Sequence, residues 1–166
     1  MFDRTYTRID TIRKWVDEML NSLEDPEVRR NGFVHLYGVG QASALVSLHR
    51  GHDRSYAELG EIAGMLHDYA KYKYDVEDNH GPLSSKEADT ILKATKEFTE
   101  KEISTICHAI KVHSNKAEVD SEFDEILKDA DEMQHYLRNP MEDYYFNRER
   151  INKLMSEFKL KEKDNE

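Results

Sequence analysis

The chain has 166 residues, a formal net charge of −10 and a single cysteine, Cys107. Its length suits one domain with a sizeable core, its acidity disfavours a non-specific nucleic-acid face, and its one thiol excludes a disulfide framework or a thiolate metal cluster. No stretch approaches the roughly 18 apolar residues of a membrane span, and the opening "MFDRTYTRIDTIRKW" is charged from its third residue, unlike a secretory signal; a reducing cytoplasm is the expected compartment.

Only three prolines and seven glycines punctuate the chain, and strand signals are nearly absent. Helices are expected at 4–23, 33–50, 55–73, 84–97, 100–114, 122–138 and 140–159. Asn31-Gly32 can start the second. Ser55-Tyr-Ala-Glu58 has capping-box form at the third, which carries the apolar stripe Leu59, Ile62, Ala63, Leu66. Ser84 to Glu87 and Thr99 to Glu102 repeat the capping pattern, and Ile103, Ile106 and Ile110 form the stripe that follows. Asn139 before Pro140 reads as a cap with proline at the first helical position. With no repeat of about 20–50 residues and no dividing linker, the expectation is a single all-α domain over 1–160, a bundle of about six or seven helices, with a frayed charged tail at 161–166.

Several ionisable residues fall where a helix would bury them. His35 lies on the stripe His35, Val39, Ala42, Val46; His67 on Ala63, His67, Ala70; His113 continues the isoleucine stripe; and Asp131 lies one turn after Leu127, beside Ala130. A buried carboxylate without a partner costs several kcal/mol. No stripe of inward Lys or Arg is available to neutralise Asp68 and Asp131, whereas a metal ion supplies positive charge and takes neutral imidazole as ligand. Taken singly, each residue also fits a hydrogen-bonded core histidine or a capping acid. The joint order of the set carries the metal reading.

That order, a histidine, then His67-Asp68, then a distal aspartate, resembles the HD superfamily of metal-dependent phosphohydrolases. "FVHLYGVGQAS" is similar to the family's first ligand helix, "IAGMLHDYAKY" to the second and "LKDADEMQHY" to the helix with the distal aspartate, so the resemblance spans residues 33–138. A narrower similarity is to the symmetrical diadenosine tetraphosphate hydrolases, through "HDYAK" at 67–71, "HGP" at 80–82 and "AIKVHS" at 109–114. The resemblance implies that His35, His67 and Asp131 hold one ion, that His80 and His113 hold a second, and that Asp68 bridges them. Only eleven residues separate Asp68 from His80, and "YLRNPMEDYYFNRER" departs from that branch.

Such a nitrogen and oxygen donor set suits divalent transition metals, with iron or manganese expected from the resemblance and zinc, cobalt or nickel admitted. A carboxylate-bridged pair activates water for attack on phosphorus, so the expected reaction is hydrolysis of a phosphoester or phosphoanhydride in a small phosphorylated substrate, a nucleotide or dinucleoside polyphosphate. Lys71 shares a helical face with His67 and Asp68 and is expected either to meet a substrate phosphate or to snorkel to solvent. His49, His52, His108 and His135 are expected to stay outside the cluster, and Cys107 to pack. The alternatives are a one-metal 5'-nucleotidase using His35, His67, Asp68 and Asp131, a nucleotide-binding module without turnover, and a metal-free bundle. "MEDYYF" at 141–146 is expected to form a homodimer surface or to pack on the bundle.

Overall fold

A computed structural model describes residues 6–142 and 146–160. Every described element is an α-helix: α1 (Arg8–Asn21), α2 (Pro26–His49), α3 (Arg54–Leu66), α4 (Tyr69–Tyr74), α5 (His80–Thr95), α6 (Glu100–Val112), α7 (Glu122–Arg138) and α8 (Arg148–Glu157). The expected all-α, single-domain bundle is observed. No described helix is long and apolar enough to cross a membrane. Residues 4–5 of the expected first helix, the expected tail 161–166 and residues 143–145 of the "MEDYYF" stretch lie outside the described residues.

Boundaries move where a local cap overrides the expected one. The second helix starts at Pro26 rather than 33, because the Asp25 carboxylate accepts from the Glu27 and Val28 amides and proline suits the first turn; Asn31-Gly32 is interior. Asp53, not Ser55, caps α3, accepting from the Tyr56 amide at 2.8 Å. Ser84 starts nothing: it is buried within α5, and its Oγ accepts from the Ala70 amide of α4 at 3.0 Å. Thr99 and Glu102 form the expected capping box. Asn139 ends α7 in an extended conformation and closes a turn with Glu142, so no helix begins at Pro140; α8 starts at Asn147. Phe146 packs inward with its ring edge-on to Tyr136, whereas Met141 is exposed.

The expected continuous third helix is two helices, α3 and α4, interrupted at His67-Asp68. Asp68 leaves helical geometry, with φ −108° and ψ 17°. Successive residues of an α-helix point about 100° apart, so an unbroken helix would aim these two side chains at different places.

One core joins α1 through α8, including Ile12, Val16, Leu20, Leu36, Val39, Val46, Ile62, Leu66, Ile106, Ile110 and Leu127. At its centre α2 crosses α3 on small residues. A Cβ at Gly64 would stand 2.5 Å from the Gly40 nitrogen and 2.6 Å from its Cα. Backbone meets backbone there, which draws His35 and His67 together. The variant Gly64→Ala is expected to lose about 1–3 kcal/mol through this overpacking, despite alanine's better helix propensity. Thermal melts read it as a fall of about 2–4 °C per kcal/mol; an unchanged or higher Tm would show that the crossing tolerates a methyl group.

Candidate metal centre

Five helices or their ends bring six side chains to one buried point. His35 projects from mid-α2, His67 caps the end of α3, Asp68 occupies the break before α4, His80 opens α5, His113 caps the end of α6 and Asp131 projects from mid-α7. Five of the six are buried, and His80 stands at the rim with 17% of its side chain exposed. All of the expected metal residues therefore converge.

The imidazoles are oriented by their second nitrogen. His67 Nδ1 donates to the Gly64 carbonyl at 2.7 Å, His80 Nδ1 to Glu77 at 2.5 Å and His113 Nδ1 to Ile110 at 2.7 Å, each three residues back in sequence. For His67 and His113 the acceptor is a last-turn carbonyl with no intrahelical partner, which is why a helix terminus suits a ligand histidine. His35, inside a helix, finds no such carbonyl and uses the Gln134 side-chain oxygen of α7 at 2.6 Å. With Nδ1 protonated in every ring, each Nε2 offers a lone pair. The negative ends of α3 and α6 also point here, where they favour a cation.

Those lone pairs face one another. His35 and His67 Nε2 are 3.1 Å apart, and His80 and His113 Nε2 are 3.3 Å apart. Asp68 lies between the pairs: Oδ2 is 3.5 and 3.6 Å from His35 and His67, and Oδ1 is 3.3 and 3.2 Å from His80 and His113. Asp131 Oδ1 adds to the first pair at 3.5 and 3.6 Å. Asp68 Oδ1 and Asp131 Oδ1 are buried without a hydrogen-bond donor, a state costing about 1–3 kcal/mol each if nothing else binds them. Two groups have the spacing to hold an ion, His35 with His67 and Asp131, and His67 with Asp68 and His113, their donor atoms all within 4.8 Å.

The electrostatics ask for positive charge. Burial opposes ionisation of Asp68, but the surrounding imidazoles, His67 first, hold its carboxyl well below the usual carboxylate range. Burial likewise opposes ionisation of Asp131, and Lys116 leads the groups that keep it charged. Burial pushes the His67 imidazole down to about 3. Burial pulls His35 down too, yet Asp68 and Asp131 raise it above its ordinary value. The two carboxylates thus favour positive charge at this point, and a divalent cation would meet that demand through the lone pairs. The residues fit a divalent transition metal.

Three further neighbours take part in the centre. Gln134 fixes His35. Lys116 Nζ holds Asp131 Oδ2 at 2.5 Å, leaving Oδ1 to face the histidines. His135, expected outside the cluster, joins it: its Nε2 is 3.4 Å from Asp131 Oδ1 and its ring lies 4.7 Å from that of His35. The i, i+4 spacing from Asp131 is the signal that could have found it. Lys71 touches none of the six and pairs with Glu77 at 3.1 Å, its side chain partly exposed. His49 stacks on Phe158, His52 on Tyr56, and His108 binds Asp124, all away from the centre. Arg50 is committed to Asp129 and Glu157. Burial pushes the Cys107 thiol up to about 11, consistent with a packing role.

The family model described as HD domain matches residues 32–135, the segment that contains all six converging residues. No curated protein and no solved structure matches the chain.

Chelator-stripped protein given manganese at about 100 times its Kd is expected to gain about 2.7 kcal/mol, a rise of roughly 5–10 °C in Tm, and Asp131→Asn to lose most of that rise. No shift with manganese, iron, cobalt or zinc would remove the metal reading. Iodoacetamide at pH 8 should label Cys107 roughly 100-fold more slowly in the folded than in the urea-unfolded protein; equal rates would show an available thiolate.

Proposed function

The chain belongs to the HD domain family, whose members are generally metal-dependent hydrolases, and on that premise we propose that it is a phosphohydrolase with two divalent metal ions, acting on a nucleotide or dinucleoside polyphosphate. The observation that carries the two-ion reading is Asp68, whose two oxygens each face a separate pair of histidine lone pairs. In this reading His35, His67, Asp131 and Asp68 hold one ion, and His80, His113 and Asp68 the other. Iron and manganese come first by the family resemblance, and zinc, cobalt and nickel suit the same donors.

Bound ions would supply Lewis acidity, making water nucleophilic near neutral pH and neutralising phosphoryl oxygens. The chain's residues do the rest. Asp68 fixes the spacing of the two sites. The Nδ1 anchors hold the imidazoles in the ligand tautomer, so little reorganisation is needed on loading. Lys71, released from Glu77, would offer its ammonium to an outer phosphate of the substrate; Glu77 holds that place in the free protein. Tyr72, half-buried on α4 with its hydroxyl kept protonated by burial and by Asp68, would line the same side.

One observation favours a mononuclear nucleotidase as second reading: His80 is the most exposed of the four proposed histidine ligands and belongs to neither ion-spaced group. Metal analysis separates the two. Wild-type protein should carry about two ions per chain, and His80→Ala about one. Asp68→Asn should lower hydrolysis of diadenosine tetraphosphate or a nucleoside phosphate by at least about 100-fold. One ion in both wild type and His80→Ala would give the mononuclear reading. No turnover across mono-, di-, tri- and dinucleoside phosphates with metal bound would give a binding module.

A further inference from the structure

The ligand histidines belong to a longer row. Ring centroids run from His80 to His113 at 5.1 Å, to His67 at 4.8 Å, to His35 at 4.9 Å and on to His135 at 4.7 Å. The three middle rings are buried, and the two ends reach the surface, His135 with 25% of its side chain exposed. Four of the five rings have Nδ1 anchored to an oxygen at 2.5–2.7 Å. His135 does not: its Nδ1 is buried without a partner, and its Nε2 stands a long 3.4 Å from Asp131 Oδ1. Nor does it fall within the ion-spaced group of His35, His67 and Asp131.

An imidazole that ligates a metal is normally fixed by a bond from its other nitrogen, and a histidine kept for packing alone normally has its buried nitrogens satisfied. His135 has neither provision. In the neutral ring, either tautomer leaves the buried Nδ1 unmet, as donor or as acceptor. Once an ion takes the Asp131 Oδ1 lone pair, the contact at Nε2 weakens as well. The ring is thus a poorly committed hydrogen-bonding group at the open end of a closed row, one helical turn beyond Asp131.

We propose that His135 is a substrate-contacting residue, its Nε2–H, held only loosely by Asp131, donating to a phosphoryl oxygen of the substrate held beside the His35, His67, Asp131 site. The role rests on the metal-centre reading above. It needs no change in protonation, only the N–H that a neutral imidazole always carries.

The test uses manganese-loaded full-length protein and inorganic phosphate, with wild type, His135→Ala and His135→Gln compared by metal analysis, calorimetry and thermal melting. Manganese content is expected to be unchanged in both variants. Phosphate affinity should fall about 10- to 100-fold in His135→Ala, the worth of one hydrogen bond to a charged acceptor, and recover in part in His135→Gln, whose amide keeps an N–H. Unchanged phosphate affinity in His135→Ala would overturn the proposal. A loss of manganese in either folded variant would also overturn it, making His135 a ligand instead. Wild-type protein that takes up no manganese, iron, cobalt or zinc would fail at the earlier step and overturn the metal centre together with this role.

Discussion

Two carboxylates, Asp68 and Asp131, are buried side by side with four imidazoles, and much of the surrounding structure follows from that placement. Ionised carboxyl groups out of water cost several kcal/mol each unless paired. The protein answers with Lys116 on one oxygen of Asp131 and with histidine nitrogens around the rest. It aligns those histidines through the Gly64, Glu77 and Ile110 carbonyls and the Gln134 side chain. The arrangement is incomplete without a cation, because two carboxylate oxygens have no donor and lone pairs meet lone pairs at 3.1 and 3.3 Å. Metal chemistry is thus read from a deficit in the packing as well as from the identity of the side chains.

Much of this was legible in the sequence, for a physical reason. His35, His67, His113 and Asp131 each sit in register with an apolar stripe, and burial follows register, so their inward placement could be read locally. The break at His67-Asp68 could not, because the surrounding stripe is continuous; what breaks the helix is the need of both side chains to reach one point. Caps were misread at Ser55 and Ser84, where Asp53 and the preceding His80 turn compete successfully, and the Asp25-Pro26 start was missed. Gln134 and Lys116 act on residues that periodicity does not connect to them, whereas His135 stands one helical turn from Asp131. Gln134 meets His35 across 99 positions of sequence, and nothing local announces such a pairing.

The helices outside residues 32–135 brace the centre from two sides. Arg8 and Arg13 of α1 reach Glu58, Glu102 and Glu61 on α3 and α6. From α8, Arg150 binds Asp129 and Glu125 of α7 and the Lys116 carbonyl. The segment 113–121 between α6 and α7, which begins with His113 and contains Lys116, is pinned again by Lys128, a fully buried ammonium paired with Asp120 and Glu125. Buried ion pairs of this kind add little net stability, but breaking one leaves an uncompensated charge. Their consequence here is positional: the stretch joining two ligand helices has few other conformations open to it.

The crossing of α2 and α3 carries a different lesson. Gly40 and Gly64 have no side chain and no chemical role of their own, yet they set how closely His35 and His67 approach, and the carbonyl of Gly64 aligns the His67 ring. Substitutions at these two positions would therefore combine a loss of stability with displacement of the two imidazoles. A phenotype map of this chain would set two glycines beside the clustered histidines, although neither contributes a side chain there.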